Sequence, residues 1–152
     1  MDRCATAYAL HKEGFNCAQS VVGAFLDKLN VTKEQAMAMA GGFGGGIGGS
    51  HEEVCGAVSG AVLVLSLLNP HTDGADTAGK VHTYGVTKEF RARFADAFGG
   101  LTRCGDLLKA RPSVSEKTPA AARLGITAHC SAMVVTAVEI AEAMLAEREE
   151  RS

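Results

Sequence analysis

Five cysteines, Cys4, Cys17, Cys55, Cys104 and Cys130, are the residues of this chain best equipped for chemistry. A cysteine thiolate is a nucleophile, a metal ligand and half of a disulfide, and its pKa decides which role is open to it. No two of the five form a Cys-x-x-Cys pair. That excludes a thioredoxin-type dithiol and the compact zinc and ferredoxin spacings. A shared site has to be assembled from separate stretches of chain. Cys17 follows Asn16, a capping residue, and falls at the start of a helix whose dipole favours the thiolate. Cys55, followed by Gly56, is expected in the second turn of a core helix, Cys104 starts a short helix behind the cation Arg103, and Cys130 follows His129 on an apolar stripe. These placements predict thiolates of lowered pKa, with Cys17 the candidate attacking thiolate. Against this stands the plain alternative that free cysteine packs as a small buried hydrophobe.

The elements that must position these thiols read as helices. Arg3 to Glu13 ends at Gly14, Asn16 caps Cys17 to Leu29, and Thr32 caps Lys33 to Ala40. The stretch from Gly41 to Ser50 holds seven glycines and is expected to be a loop, with Ser50 capping a core helix that runs to Leu68. Glu52 and Glu53 would then lie in its first turn, where carboxylates suit the dipole. Asn69-Pro70 stops it. A helix from Ala78 to Phe98 follows, weakened by Gly79 and Gly85, with Phe90, Phe94 and Phe98 on its buried face. After the short helix at Cys104 to Ala110, residues 111–125 read as a loop. The last helix, Thr127 to Glu150, carries the stripe Cys130, Val134, Ala137, Ala141, Met144. No segment alternates as a strand does. The expected architecture is an all-α, single-domain bundle of five to seven helices over residues 1–152, with a glycine-rich loop before the central core helix.

Composition narrows the function. With 152 residues, 47% of them hydrophobic, the chain is long and apolar enough for one folded core, not a disordered segment. Fifteen basic against 17 acidic residues give a net charge of −2, which argues against a nucleic-acid partner. The longest apolar run, Val54 to Leu68, falls short of a membrane span, and the first residues lack the apolar core of a signal peptide. A cytoplasmic location is expected, where cysteines serve as free thiols, metal ligands or redox groups. Few aromatics leave apolar helix faces to cover, compatible with a homodimer that nothing in the sequence fixes.

Two further motifs are weak. Gly74 to Val81 nearly spells a phosphate-binding loop but lacks the hydroxyl residue after Lys80 and a preceding strand. His51 and Cys55, read as one helical turn apart, could share a metal, although a histidine beside a glycine loop is more often simply solvated. His129 could hydrogen-bond a thiolate or face solvent. In Cys55-Gly56-Ala57-Val58-Ser59-Gly60-Ala61, Gly56 and Gly60 present a bare strip of backbone that admits another helix or a cofactor.

These residues carry a resemblance. Gly14 to Val21 around Cys17, the glycines of 41–49, Glu53 to Ala61 with its Cys-Gly-Ala-x-x-Gly motif, Phe98 to Leu108 around Cys104, and Cys130 resemble the C_GCAxxG_C_C family of redox-active proteins across residues 3–145. The resemblance picks out Cys17, Cys55, Cys104 and Cys130 and leaves Cys4 as an extra. It implies a small prokaryotic redox or metal-binding protein. A similar helical module occurs in split-Soret cytochromes, there with an iron–sulfur cluster; no Cys-x-x-Cys-His haem site is present here. Four thiolates suffice for a [2Fe–2S] or [4Fe–4S] cluster, or for tetrahedral zinc, with Gly56 and Gly60 giving close backbone access. The expected function is electron transfer to an unidentified redox partner protein. The rivals are a thiol–disulfide oxidoreductase and a structural protein with inert cysteines.

Overall fold

The computed structural model describes residues 1–151 and is all-helical. The first element, α1 (Arg3–Glu13), starts on Asp2, whose carboxylate accepts from the Ala5 amide at 3.1 Å, and ends on Gly14 at φ 120°. Two capped helices follow, α2 (Cys17–Gly23) and α3 (Lys33–Ala40). A 3-10 turn, Gly41–Phe43, leads into the glycine loop. The core helix α4 (Gly56–Leu68) and the long α5 (Thr77–Ala97) come next, then α6 (Cys104–Ala110), α7 (Pro119–Arg123) and α8 (His129–Arg151). Eight α-helices among the described residues include α7, a five-residue turn inside the stretch expected to be loop. Its signal is Pro119, favoured in a first helical turn.

The last helix is the spine of the bundle. It packs against α1, α2, α4, α5 and α7, while α2 lies along α4. Its predicted stripe is inward, with Val134, Ala137, Ala141 and Met144 all buried. By length and composition alone α8 could cross a membrane, yet 56% of its most apolar window is buried inside the fold, as a core helix is. Phe90, Phe94 and Phe98 form a stack along α5, with successive ring centroids 6.1 and 4.7 Å apart. Arg3 is buried beneath the ring of Phe25 and paired with Asp27, fixing α1 to the turns after α2.

Two expectations about element ends are corrected. The helix from Cys17 stops at Gly23 instead of Leu29. Glycine is a poor helix former, and the chain continues in tighter turns bonded i to i+3 that still bury Phe25 and Leu29. The core helix starts at Gly56, not after Ser50. Residues 53–55 are instead paired with 102–104: the Cys55 amide donates to Thr102 O at 2.8 Å and the Cys104 amide to Glu53 O at 2.9 Å, around an antiparallel bridge between Val54 and Arg103. Glu52 and Glu53 are therefore outside the helix. His51 and Cys55 are not one helical turn apart, and Cys55 is the N-cap residue of α4 and not a second-turn residue.

Candidate functional site: a chamber of four thiols

Each of four cysteines stands at the beginning of a helix. Cys17 opens α2, Cys55 precedes α4, Cys104 opens α6, and Cys130 is the second residue of α8. The fold brings these four starts together. All four side chains line one chamber of about 90 Å³, several times the roughly 10–15 Å³ that one water needs. Leu108 and Met133 supply apolar wall, and Gly45 and His51 close the side toward the loop. Cys4 is elsewhere, buried against α8 with its thiol directed to Val135 O at 3.6 Å.

Local sequence explains the placement of Cys17. Asn16 caps α2 reciprocally with Gln19: its carboxamide oxygen accepts from the Gln19 amide at 2.9 Å, and Gln19 Oε1 accepts from the Asn16 amide at 3.0 Å. The remaining donors, Asn16 Nδ2 and Gln19 Nε2, reach Gly41 O and Met37 O, both at 3.0 Å, and tie α2 to the glycine loop and α3. Asn16→Ala is expected to lower the unfolding free energy by about 1 kcal/mol, read from urea unfolding. Asn16→Asp, which keeps the cap but sets a carboxylate oxygen against Gly41 O in place of a donor, should recover only part of the difference.

The glycine loop is a folded object. Gly45, Gly46, Gly48 and Gly49 all have φ between 61° and 70°, the left-handed region, and Ile47 and His51 share it at 67° and 63°. The loop closes on itself through His51 N to Gly45 O at 2.9 Å and Gly48 N to Gly42 O at 2.8 Å. It grips α6 through Gly105 N to His51 O at 2.8 Å. The absence of side chains is also used: a Cβ on Gly46 would lie 2.6 Å from Cys104 Cβ, and one on Gly56 would lie 2.3 Å from Cys17 Sγ and 3.0 Å from Phe43 O. Gly56 thus admits the Cys17 sulfur beside α4. Gly60 does something different. Its bare face meets the backbone of Ala18, so it serves helix packing and does not line the chamber.

The expectation of lowered pKa values at all these cysteines is overturned for three of them. Burial pushes Cys55 up to about 12, with the charge of a Cys17 thiolate acting in the same direction and the Ala57 and Val58 amides opposing. Cys104 and Cys130 are raised as well, first by burial and then by Cys17. Desolvation of an anion outweighs the helix termini. Arg103 does not rescue Cys104, because its guanidinium is committed to Glu52 O at 2.7 Å and Asp106 at 3.2 Å. His129 Nε2 lies 3.5 Å from Cys130 Sγ. In this chamber the thiols resist ionising together unless positive charge is supplied among them. Among the described residues no three histidine, cysteine or acidic side chains are close enough to hold a single metal ion as placed, and all five cysteines are free thiols.

An all-helical fold that delivers four thiols from four helix starts to one chamber defines a cysteine-centred helical protein. A family model described as "putative redox-active protein (C_GCAxxG_C_C)" matches residues 15–144, and the chain belongs to that family. No curated protein and no solved structure matches the chain.

Proposed function

We propose that this redox-family protein holds an iron–sulfur cluster through Cys17, Cys55, Cys104 and Cys130 and passes electrons to a partner protein in a reducing, cytoplasmic setting. The observation that carries the reading is the convergence of four thiols on one chamber larger than a water. The donor set fits: four cysteine ligands are what a [2Fe–2S] or [4Fe–4S] centre takes. The raised thiol pKa values fit too, because a cationic iron centre supplies the missing positive charge and the thiols surrender their protons to it. A single zinc ion is favoured less, since all four sulfurs must then approach one point to about 2.3 Å, and no three donors are so gathered. When bound, such a cluster supplies reversible one-electron chemistry. The chain contributes four ligands, apolar walls at Leu108 and Met133, and the fixed backbone of the glycine loop.

Anaerobic purification followed by iron and sulfide analysis tests this. A brown protein containing iron and acid-labile sulfide is expected, and Cys17→Ser should lose both while keeping its far-ultraviolet circular dichroism. A colourless, metal-free protein with four titratable chamber thiols, unchanged after anaerobic reconstitution with iron and sulfide, would overturn it. If mild oxidation of that protein then gave one defined, reversible disulfide, thiol–disulfide chemistry would take its place.

A further inference from the structure

His129, whose ring meets the chamber cysteine Cys130, also lines an open surface groove of about 380 Å³. Arg111, Ser113 and Thr127 line it with His129, over an apolar floor of Val114 and Ile126, and no carboxylate is among its walls. The volume falls within the roughly 300–1,000 Å³ of small-ligand sites, and a few convergent polar groups over an apolar surface is their usual make-up. Among the described residues the Arg111 guanidinium has neither a hydrogen bond nor an ion pair, whereas Arg3, Arg93, Arg103 and Arg123 all pair with acidic side chains. The His129 ring touches the Cys130 sulfur at 3.5 Å.

We propose that this groove binds the oxyanion group, a carboxylate or a phosphate, of a small ligand whose apolar remainder lies on Val114 and Ile126. A free guanidinium offers a planar pair of donors matched to either oxyanion. The Ser113 and Thr127 hydroxyls add neutral donors that suit both. An anion bound there shares His129 with the chamber, since the same ring meets the Cys130 sulfur at 3.5 Å. This site goes beyond the electron-transfer reading and does not depend on it, because the groove is built from residues 111–129 and not from the four sulfurs.

The test titrates the protein as isolated with inorganic phosphate and, separately, with succinate, at constant ionic strength set by sodium chloride. The His129 ring resonances, assigned by their disappearance in His129→Gln, report binding. A saturable shift with either anion supports the proposal, and the anion that binds more tightly identifies the headgroup class. Arg111→Asn removes the charge while tolerating the left-handed backbone at this position (φ 45°). It should weaken binding by about tenfold, the effect of losing one charge-assisted pair. Thr127→Val, which removes only a neutral donor of the same lining, should weaken it less. If neither anion moves the His129 resonances beyond the chloride control, or if folded Arg111→Asn binds as tightly as the parent, the proposal falls. Iron content is measured on the same samples, so failure here is separable from failure of the cluster reading.

Discussion

Gly60→Ala is expected to lower the unfolding free energy by about 2 kcal/mol, the net of about 3 for overpacking less about 1 gained in helix propensity. A methyl group there would stand 2.7 Å from Ala18 O and 3.0 Å from Ala18 Cα. Both are backbone atoms of α2, which cannot swing aside as a flexible side chain would, so α2 must move off α4. Gly85→Ala is the control. Nothing lies within 4 Å of a Cβ at Gly85, in the interior of α5, so the same change should raise stability by about 1 kcal/mol. Urea unfolding of the two variants checks both signs. If Gly60→Ala proves as stabilising as Gly85→Ala, the contact between α2 and α4 is looser than described. Because Ala18 follows Cys17, the destabilised variant should also show faster alkylation of the chamber thiols.

The second large effect concerns Cys4 and alkaline pH. Burial pushes its thiol up to about 12, and the charges of Glu139, Glu142 and Asp2 add to the shift. In the unfolded chain the same group ionises near 8.5. A folded-state pKa above the unfolded value means the unfolded chain loses its proton first. The contribution of Cys4 is therefore complete below about pH 8.5 and drains away as pH rises toward 12. Between pH 8 and 11 it should cost on the order of 2–3 kcal/mol. Other groups titrate in this range, so the measurement is a difference: the slope of unfolding free energy against pH should be shallower in Cys4→Ala than in the parent. Parallel slopes would show that Cys4 ionises as readily folded as unfolded. Cys4 lies outside the chamber, so this outcome does not depend on what the chamber holds.

Where local rules govern, the fold was legible in the sequence. Asn16 and Thr32 announce α2 and α3 because capping is a contact three residues long. The phenylalanine spacing along α5 and the stripe on α8 announce their buried faces because the helical period alone decides them. What could not be read depends on partners far along the chain. Ser50, Glu52 and Glu53 carry every local sign of a helix start, yet 53–55 are held extended by 102–104, about which nothing nearby gives notice. The four cysteines that line the chamber could be picked out, and each does stand at a helix start. The raised pKa values of Cys55, Cys104 and Cys130 could not be read there, because the dipole is a local property and burial is not. Likewise Arg103 looked like a partner for Cys104 by adjacency, and the fold spends it on Glu52 and Asp106. The short α7 is different: Pro119 favours a first helical turn and is visible in the sequence, but five residues among polar neighbours carry too little periodicity to mark a helix.

The order in which the chamber's walls occur along the chain bears on how the protein is made. Cys17, Cys55 and Cys104 and the loop that braces two of them are all synthesised well before Cys130 and Met133, which come with the last helix. A nascent chain that has reached residue 110 has three of the sulfurs and an open trough where α8 will lie. That trough exposes the apolar faces of α1, α2 and α4. The full set of four sulfurs is therefore assembled only once α8 has been made and has packed into that trough. Shortening the chain by that one helix would remove a ligand and the spine of the core together.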